Sequence, residues 1–563
     1  MALVPIEQIG QIGIIKDVKP YALQPNAWSD GNNVRFTDQG VQNIQGYREV
    51  MQDCPVKVLH LVWYNKTNQK RDYWLAFGIG KTLKGEIHCW DQSNDSWTDV
   101  TPVEPKVDPD DEDEEPVNSD LNGSDTVKWS TDFLGMQLIA TNGVDLPLKW
   151  DLNSNNEADP EERFMPLDMQ LSEDVATWEE GIGGPVPKTI NVFKSIMIGM
   201  NYPEGPTRVW WSSPGGHYTT PTWDYYNKNQ DAGDYELNDT KGAIVDGAAL
   251  AEAFLIYKED SIYIASYVGR PFIFGFKALS KDVGLLTKNA LAAFPSGHIF
   301  MSRYDVHITN GQSITALLGD KLQGELFNDI SGDFYHNSFI AIDDVNNEAY
   351  ICWPSSGSEW ADRCITWNWL TGALSLRNIP RLSDIKEGVI ASVIGIDTWE
   401  ASFAGAIGLM EWDEAADIRC GSRAFESMHP EMVFASVEDD MIRRSGGGIY
   451  TIDGLEMEAE VERIGMDLGD PGSVKRVNAV WPRISTTGDT TVDIYLCGTM
   501  SPDDPPDWGE KIVFNPVTQS KVSCRITGKY FGWKIKSKGY LKWECHGVEF
   551  NVEPGGQRGS RIQ

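Results

Sequence analysis

The feature that most constrains this chain is a loose repeat running from about Cys54 to Cys420. A strand rich in apolar residues is followed by a turn, a second strand carrying Trp, another turn and a polar exit. The clearest copy is Tyr73–Pro102, which reads YWLAF, GEIHCWD, the turn QSND, then SWTDVTP. Met136–Asp151, Ser195–Ser213, Phe254–Gly269, His298–Gly311 and Ala349–Pro380 repeat the theme. Alternation with period 2 and short polar turns marks these segments as strands. The units recur at roughly 40–50 residues, the length of a propeller blade. A lone small sheet cannot bury both faces, whereas sheets set radially bury them between neighbours. Six to eight degenerate blades fit, and a long two-sheet sandwich is the competing architecture. The 21 Trp, 53 Gly and 29 Pro agree with many short strands and tight turns. The expected class is all-β, a β-propeller-like body of degenerate blades plus a C-terminal β-sandwich.

At 563 residues the chain exceeds what one core usually covers. The reading is an N-terminal segment (1–50) packing on the body, a propeller-like domain (51–420), and a C-terminal sandwich (421–563). Within the body, 103–124 holds the acidic run Asp108–Glu115 and reads as a solvated projecting loop. After a Gly-rich hinge at Ser445–Gly448, the strand-like stretches LEMEAEVERIGMDL, VKRVNAVWPRIS, TVDIYLCGTM and GKYFGWKIKS suggest the sandwich.

Charge narrows function. The chain has 48 Lys plus Arg against 83 Asp plus Glu, a net charge of −35. A reader of DNA sequence needs cations to displace phosphate counterions, and docking to anionic lipid needs them too. Acidity suits a soluble particle, or a passage that DNA must cross without sticking. The N-terminus lacks a basic stretch followed by an apolar run, so no signal peptide is expected. The longest apolar stretch, Gly388–Ile396, is too short to span a bilayer. The eight cysteines are scattered without a CxxC pair, so the expectation is a soluble protein from a reducing cytoplasm with neither zinc knuckle nor dense disulfides.

A search for chemistry finds little. Gly80-Lys81-Thr82 resembles the end of a phosphate-binding loop, but Leu75 stands where the first glycine is required. Asp91, Ser93 and Asp95 have a calcium-loop spacing, but Ser96 and Pro102 replace the needed Gly and Glu, so a polar turn reads better. The eight histidines are dispersed, and HExxH and G-x-S-x-G are absent. Paired carboxylates at a propeller centre could serve a glycosidase. With so many acids any pair could be nominated, and the S-x-D-x-G-x-x-W turn of sialidase-like propellers is missing. The chain is expected to be no enzyme, with no cofactor, no metal and no catalytic residues.

The stretch Asn26–Tyr47, NAWSDGNNVRFTDQGVQNIQGY, resembles the opening signature of the tail nozzle and packaged-DNA stabilisation proteins of short-tailed, podovirus-type bacteriophages. Trp28, Gly31, Asn33, Val34, Arg35, Phe36, Gly40, Gly46 and Tyr47 match, with Gln39 lengthening the turn. Gly242–Phe276 and the closing stretch 528–561 are similar to further segments of that family. In structural terms Trp28 and Tyr47 read as core or interface anchors. Gly31 and Gly46 read as turn glycines. Arg35, lying between Asp30 and Asp38, reads as the partner of a carboxylate. The resemblance implies a structural virion protein, assembled in the host cytoplasm and forming a homohexameric ring below the portal-adaptor ring. Its neighbours would be that adaptor, tail fibres and needle or plug proteins, with DNA passing through without sequence-specific binding. The alternative is a receptor- or glycan-binding tail protein, possibly glycan-processing.

Overall fold

Five antiparallel sheets, each a meander of four successive strands, follow one another along the chain, and a sixth sheet begins with the same four-strand meander and extends to seven strands. The structure, a computed structural model, describes residues 2–65, 73–91, 96–103, 118–150, 162–167, 186–215, 221–225, 229–390, 430–446, 448–488 and 490–554. The acidic run Asp108–Glu115, Ser93 and Asp95, Cys420, most of Gly388–Ile396 and the terminal residues 555–563 lie outside the described residues.

The innermost strands of blades 1 to 6 are Lys57–Tyr64, Ser130–Leu134, Thr189–Phe193, Ile244–Leu250, Leu291–Phe294 and Phe339–Asp343. Their starts show that a step of 40–50 residues holds only late in the chain. Blades 1 to 3 carry longer insertions. Each of the six repeats, four of them carrying Trp, falls inside one blade.

Strand alternation builds the ring. On the strand Tyr73–Ile79, Tyr73, Leu75 and Phe77 join the core shared with blade 2, together with Trp129, Leu138 and Trp150. Trp74 and Ala76, the residues between, join Val433, Ala435 and Ile442 on the blade 6 side. In blade 3, Ile196, Ile198 and Met200 pack toward blade 4, while Met197 packs toward blade 2. Both faces of a blade are therefore apolar, which is what radial packing requires and a half-solvated sheet would not tolerate.

Blade 6 is larger. Its fourth strand, Leu374–Gly388, runs on past a bulge and pairs with Glu431–Ser436, followed by Ile442–Ser445 and Arg48–Val50. This extension closes the ring against blade 1. Asp384 accepts from the Leu61 amide at 3.0 Å, Ser383 Oγ donates to the Val58 carbonyl at 2.7 Å, and Trp74 Nε1 donates to the Val389 carbonyl at 3.0 Å.

The sandwich pairs the two ends of the chain. One sheet orders Val34–Thr37, Gly40–Asn43, Trp543–Pro554, Lys475–Thr486 and Val522–Gly528, with Ala2–Glu7 also paired to Trp543–Pro554. The other orders Asp30–Asn32, Leu455–Met466, Tyr530–Gly539, Val492–Thr499 and Ile512–Phe514. Between them lie Phe36, Val461, Val480, Trp533, Trp543 and Phe550. The same apolar cluster continues into blades 4 to 6 through the helix Gly319–Phe327, so sandwich and propeller share a core.

Candidate functional site

The signature residues cluster where the sandwich meets blade 6. Trp28 is buried in the sandwich, its ring 5.2 Å from that of Trp533 and its indole N–H donating to the Ile9 carbonyl at 2.7 Å. Phe36 points into the same core. Gly31 lies in a strand paired with Val461, not in a turn, and a Cβ there would press on the Glu460 carbonyl at 3.1 Å. Asn33 adopts a φ of +55° and bridges the domains. Its side chain donates to the Glu458 carbonyl at 2.9 Å in the sandwich and accepts from the Asn378 amide at 3.0 Å in blade 6. Gly46 is needed for close approach, because a Cβ would stand 1.9 Å from the Thr451 carbonyl oxygen. Tyr47 is half-buried, edge-on to Phe434, with the Arg443 guanidinium over its ring. Arg443 in turn is ion-paired to Asp439 and Asp453.

Arg35 anchors this junction. It leaves the sandwich strand Val34–Thr37 and grips Glu348 of blade 6 bidentately, at 2.7 and 2.9 Å, with a third bond of 2.8 Å to Asn346. Asp343 stands 3.9 Å away and is held by the Asn346 amide and side chain. Tyr350 and Arg377 continue the network to the Gln45 carbonyl and Ser445. Burial works against the Arg35 charge, but Glu348, Tyr350 and Asp343 outweigh it and raise its pKa. Burial, helped by Asp343, raises the Glu348 carboxyl while Arg35 pulls it back. The partners are Glu348 and Asp343, not the sequence neighbours Asp30 and Asp38.

A second polar group lies on the propeller axis, at the end where the inner strands begin. Lys288 leads into blade 5 and donates to the carbonyls of Lys128 at 2.8 Å and Lys188 at 2.5 Å. Those residues precede the inner strands of blades 2 and 3, across the ring, so the Lys288 side chain spans the axis. Lys128 Nζ bonds Asn337 Oδ1 at 2.5 Å, and Lys128 and Lys57 flank the Trp360 ring at 5.3 and 5.1 Å. Burial lowers the pKa of both Lys128 and Lys288 to about 8. His60 touches Asp384 at 3.0 Å and Thr131 at 2.9 Å. Burial lowers the His60 pKa. Against its own burial, Asp384 is lowered by Lys386, His60 and the Leu61 amide. Sequence reading missed this group because lysines spaced tens of residues apart form no motif. Aligning the repeats would have found it, since Lys128, Lys188 and Lys288 each stand just before a blade's first strand.

At the outer edges of blades 3 and 4 lies a groove of about 750 Å³ lined by Trp211, Tyr235, Arg270, Phe272, Phe274 and Phe276. Phe272 is 75% exposed, and Tyr235 stacks on Phe276 at 4.7 Å. Gly80-Lys81-Thr82 forms the turn between two strands of blade 1, where the Gly80 amide bonds the Lys84 carbonyl, so its backbone makes no anion cradle. Among the described residues, no three His, Cys, Asp or Glu side chains are grouped to hold a metal ion. No described helix is long and apolar enough to cross a membrane.

No family model matches the chain, and no curated protein matches it. Solved structures give distant likenesses. One is PorZ, a surface component of the type-IX secretion system of Porphyromonas gingivalis, at 11% identity and a TM-score of 0.32, covering 67% of this chain and 39% of that one. A glycoside hydrolase matches at 8% identity and 0.26, over 88% and 99% of the two chains. KlHsv2 with a loop replaced by a Gly-Ser linker matches at 10% and 0.28, over 60% and 93%. The chain thus spans well under half the length of PorZ, and likenesses this weak carry no functional argument.

Proposed function

We propose that the chain is a structural subunit of a short-tailed phage tail nozzle, forming a homohexameric ring below the portal-adaptor ring that retains packaged DNA and conducts it at ejection. The observation that carries this reading is the junction built by Asn26–Tyr47. The residues that bear the family resemblance are those that lock sandwich to propeller: Trp28 and Phe36 in the core, Asn33 and Arg35 across the junction, Gly46 against Thr451. A ring subunit that transmits load between neighbours needs its two domains fixed to one another, and a paired, buried guanidinium with a shared core does that. Lys288 spans the propeller axis. The DNA path is therefore assigned to the space enclosed by several subunits, where the excess of acids keeps a duplex from adhering. Virion location and contacts with fibres and needle or plug proteins belong to the same proposal, as does the absence of enzymatic activity.

The groove at blades 3 and 4 favours a second reading, a receptor- or glycan-binding tail protein, since flat exposed rings stack on sugars. The mass of the purified protein, alone and mixed with its adaptor ring, separates the two. A closed six-fold ring, formed alone or on the adaptor, supports the nozzle. A trimer or monomer indifferent to the adaptor, with saturable glycan binding abolished by Phe272→Ala, overturns it.

A further inference from the structure

Lysines gather at the end of the propeller where its inner strands begin, in a chain whose acids outnumber its bases by 83 to 48. Lys57, Lys128, Lys188 and Lys288 come from four blades, and Lys386 faces Asp384 from the closing strand. The partners of Lys128 and Lys288 are neutral: one amide oxygen and two backbone carbonyls. Two of the acids in reach are already engaged. Asp246 accepts from Thr189 Oγ1 at 2.8 Å and from the Gly247 amide, and Asp384 is taken by His60 and the Leu61 amide. Asp125 stands exposed near Lys128, and His336 lies beside Lys128 with its pKa lowered by burial and by that lysine. Ser338, next to Asn337, keeps a buried hydroxyl with no partner.

Holding buried ammonium groups together without a carboxylate is costly, and a fold that needed only to fill its axis would use apolar side chains. Arg35 and Arg443 are paired with carboxylates, whereas Lys258 and Arg463 rest singly on carbonyl oxygens; what sets the axial group apart is that lysines from four blades are drawn to one mouth. The axial lysines are thus a preformed positive site in a molecule of opposite sign. Lys188 is exposed, while Lys57, Lys128 and Lys288 are mostly buried with part of each side chain open, as groups lining the floor and walls of a narrow mouth are.

We propose that this mouth of the propeller binds a phosphoryl group, whose oxygens accept from Lys57, Lys128, Lys188 and Lys288. Compact ammonium charges converging from several directions match a tetrahedral, multiply charged oxyanion, whereas a planar carboxylate is better met by a guanidinium fork. Asn337 and the Trp360 ring fix the positions of the lysines around it. The site is independent of whether the chain builds a nozzle. Its phosphoryl group can come from a small free phosphate or from a nucleic-acid backbone.

The experiment is calorimetric titration of the full chain with inorganic phosphate, triphosphate and a short single-stranded oligonucleotide. Lys188→Glu, at an exposed position, is expected to weaken triphosphate binding about tenfold or more. Lys281→Glu, the same charge change at an exposed position on blade 4's outer strand end, is expected to leave it unchanged. Lys57→Gln gives a second variant, so that a folding defect in one does not decide the outcome. Saturable binding of phosphate and triphosphate with this pattern assigns the site to small anions. The same pattern with the oligonucleotide alone assigns it to a nucleic-acid backbone. No saturable binding of any of the three, or equal losses in Lys188→Glu and Lys281→Glu, overturns the proposal.

Discussion

The two ends of blade 6's inner strand treat buried charge in opposite ways. Where Phe339–Asp343 ends, Asp343 and its neighbour Glu348 receive a guanidinium from the sandwich, and every charge there has a counter-charge. Where the strand begins, Asn337 receives an ammonium from blade 2, and the next lysine across the axis rests on carbonyls. Pairing makes the first end a joint: its groups hold each other, and nothing from outside is needed. The second end is held in place by hydrogen bonds but remains electrostatically incomplete, which is the state of a site that expects an anion.

The largest effect is expected from breaking the joint. Arg35→Ala leaves Glu348 and Asp343 buried without their cation, and such a loss costs about 3–5 kcal/mol. Denaturant unfolding should show it as a lower midpoint. The double variant Arg35→Met with Glu348→Leu removes both charges and is expected to recover most of that loss. If Arg35→Ala were no worse than the double variant, the pair would not be what locks sandwich to blade.

This contrast also marks what could be read from the residues alone. The Trp-bearing strand pairs were visible because a blade strand alternates between two apolar interfaces, as Tyr73–Ile79 does, and that pattern is local. The strands of the sandwich after Leu455 were visible for the same reason. What was hidden is pairing over long distances. Nothing in Ala2–Glu7 announces that it pairs with Trp543–Pro554, since an edge strand's register is set by its partner. Arg35 could be seen to need a carboxylate, but nearby Asp30 and Asp38 were no nearer to being it than Glu348, which is 313 residues away. Gly31 looked like a turn glycine because turns are where isolated glycines are commonest, yet here a neighbouring strand and the Ile14 side chain crowd it. The axial lysines needed the ring to bring them together.

A smaller effect of opposite character is expected at the mouth. Lys288→Met removes a charge that burial disfavours, at the expense of the bonds to the Lys128 and Lys188 carbonyls. These terms oppose each other, so the net change in unfolding free energy at neutral pH is expected to stay within about 1 kcal/mol. A loss as large as that of Arg35→Ala would mean that Lys288 is a structural pin and that the mouth resembles the joint after all.

The finest test is the pH dependence of that variant. Burial lowers the Lys288 pKa to about 8 from an unfolded value of 10.5. Below pH 8 the lysine is protonated in both states, and the folded state bears the full penalty for its charge. Between pH 8 and 10.5 the unfolded chain binds more protons, so stability contributed by this group rises with pH until both states are neutral. The difference in stability between the parent chain and Lys288→Met should therefore shift in the parent's favour as pH rises from 7 to 10, other lysines and tyrosines cancelling in the comparison. The matching difference for Arg35→Ala should stay flat over that range, because a guanidinium paired to Glu348 keeps its proton throughout. Saturating phosphate should flatten the Lys288 curve as well, since an anion at the mouth supplies the counter-charge whose lack sets the slope. A parent and a Lys288→Met variant that track each other from pH 7 to 10, with or without phosphate, would place the axial lysine in ordinary solvent and erase the distinction between the two ends.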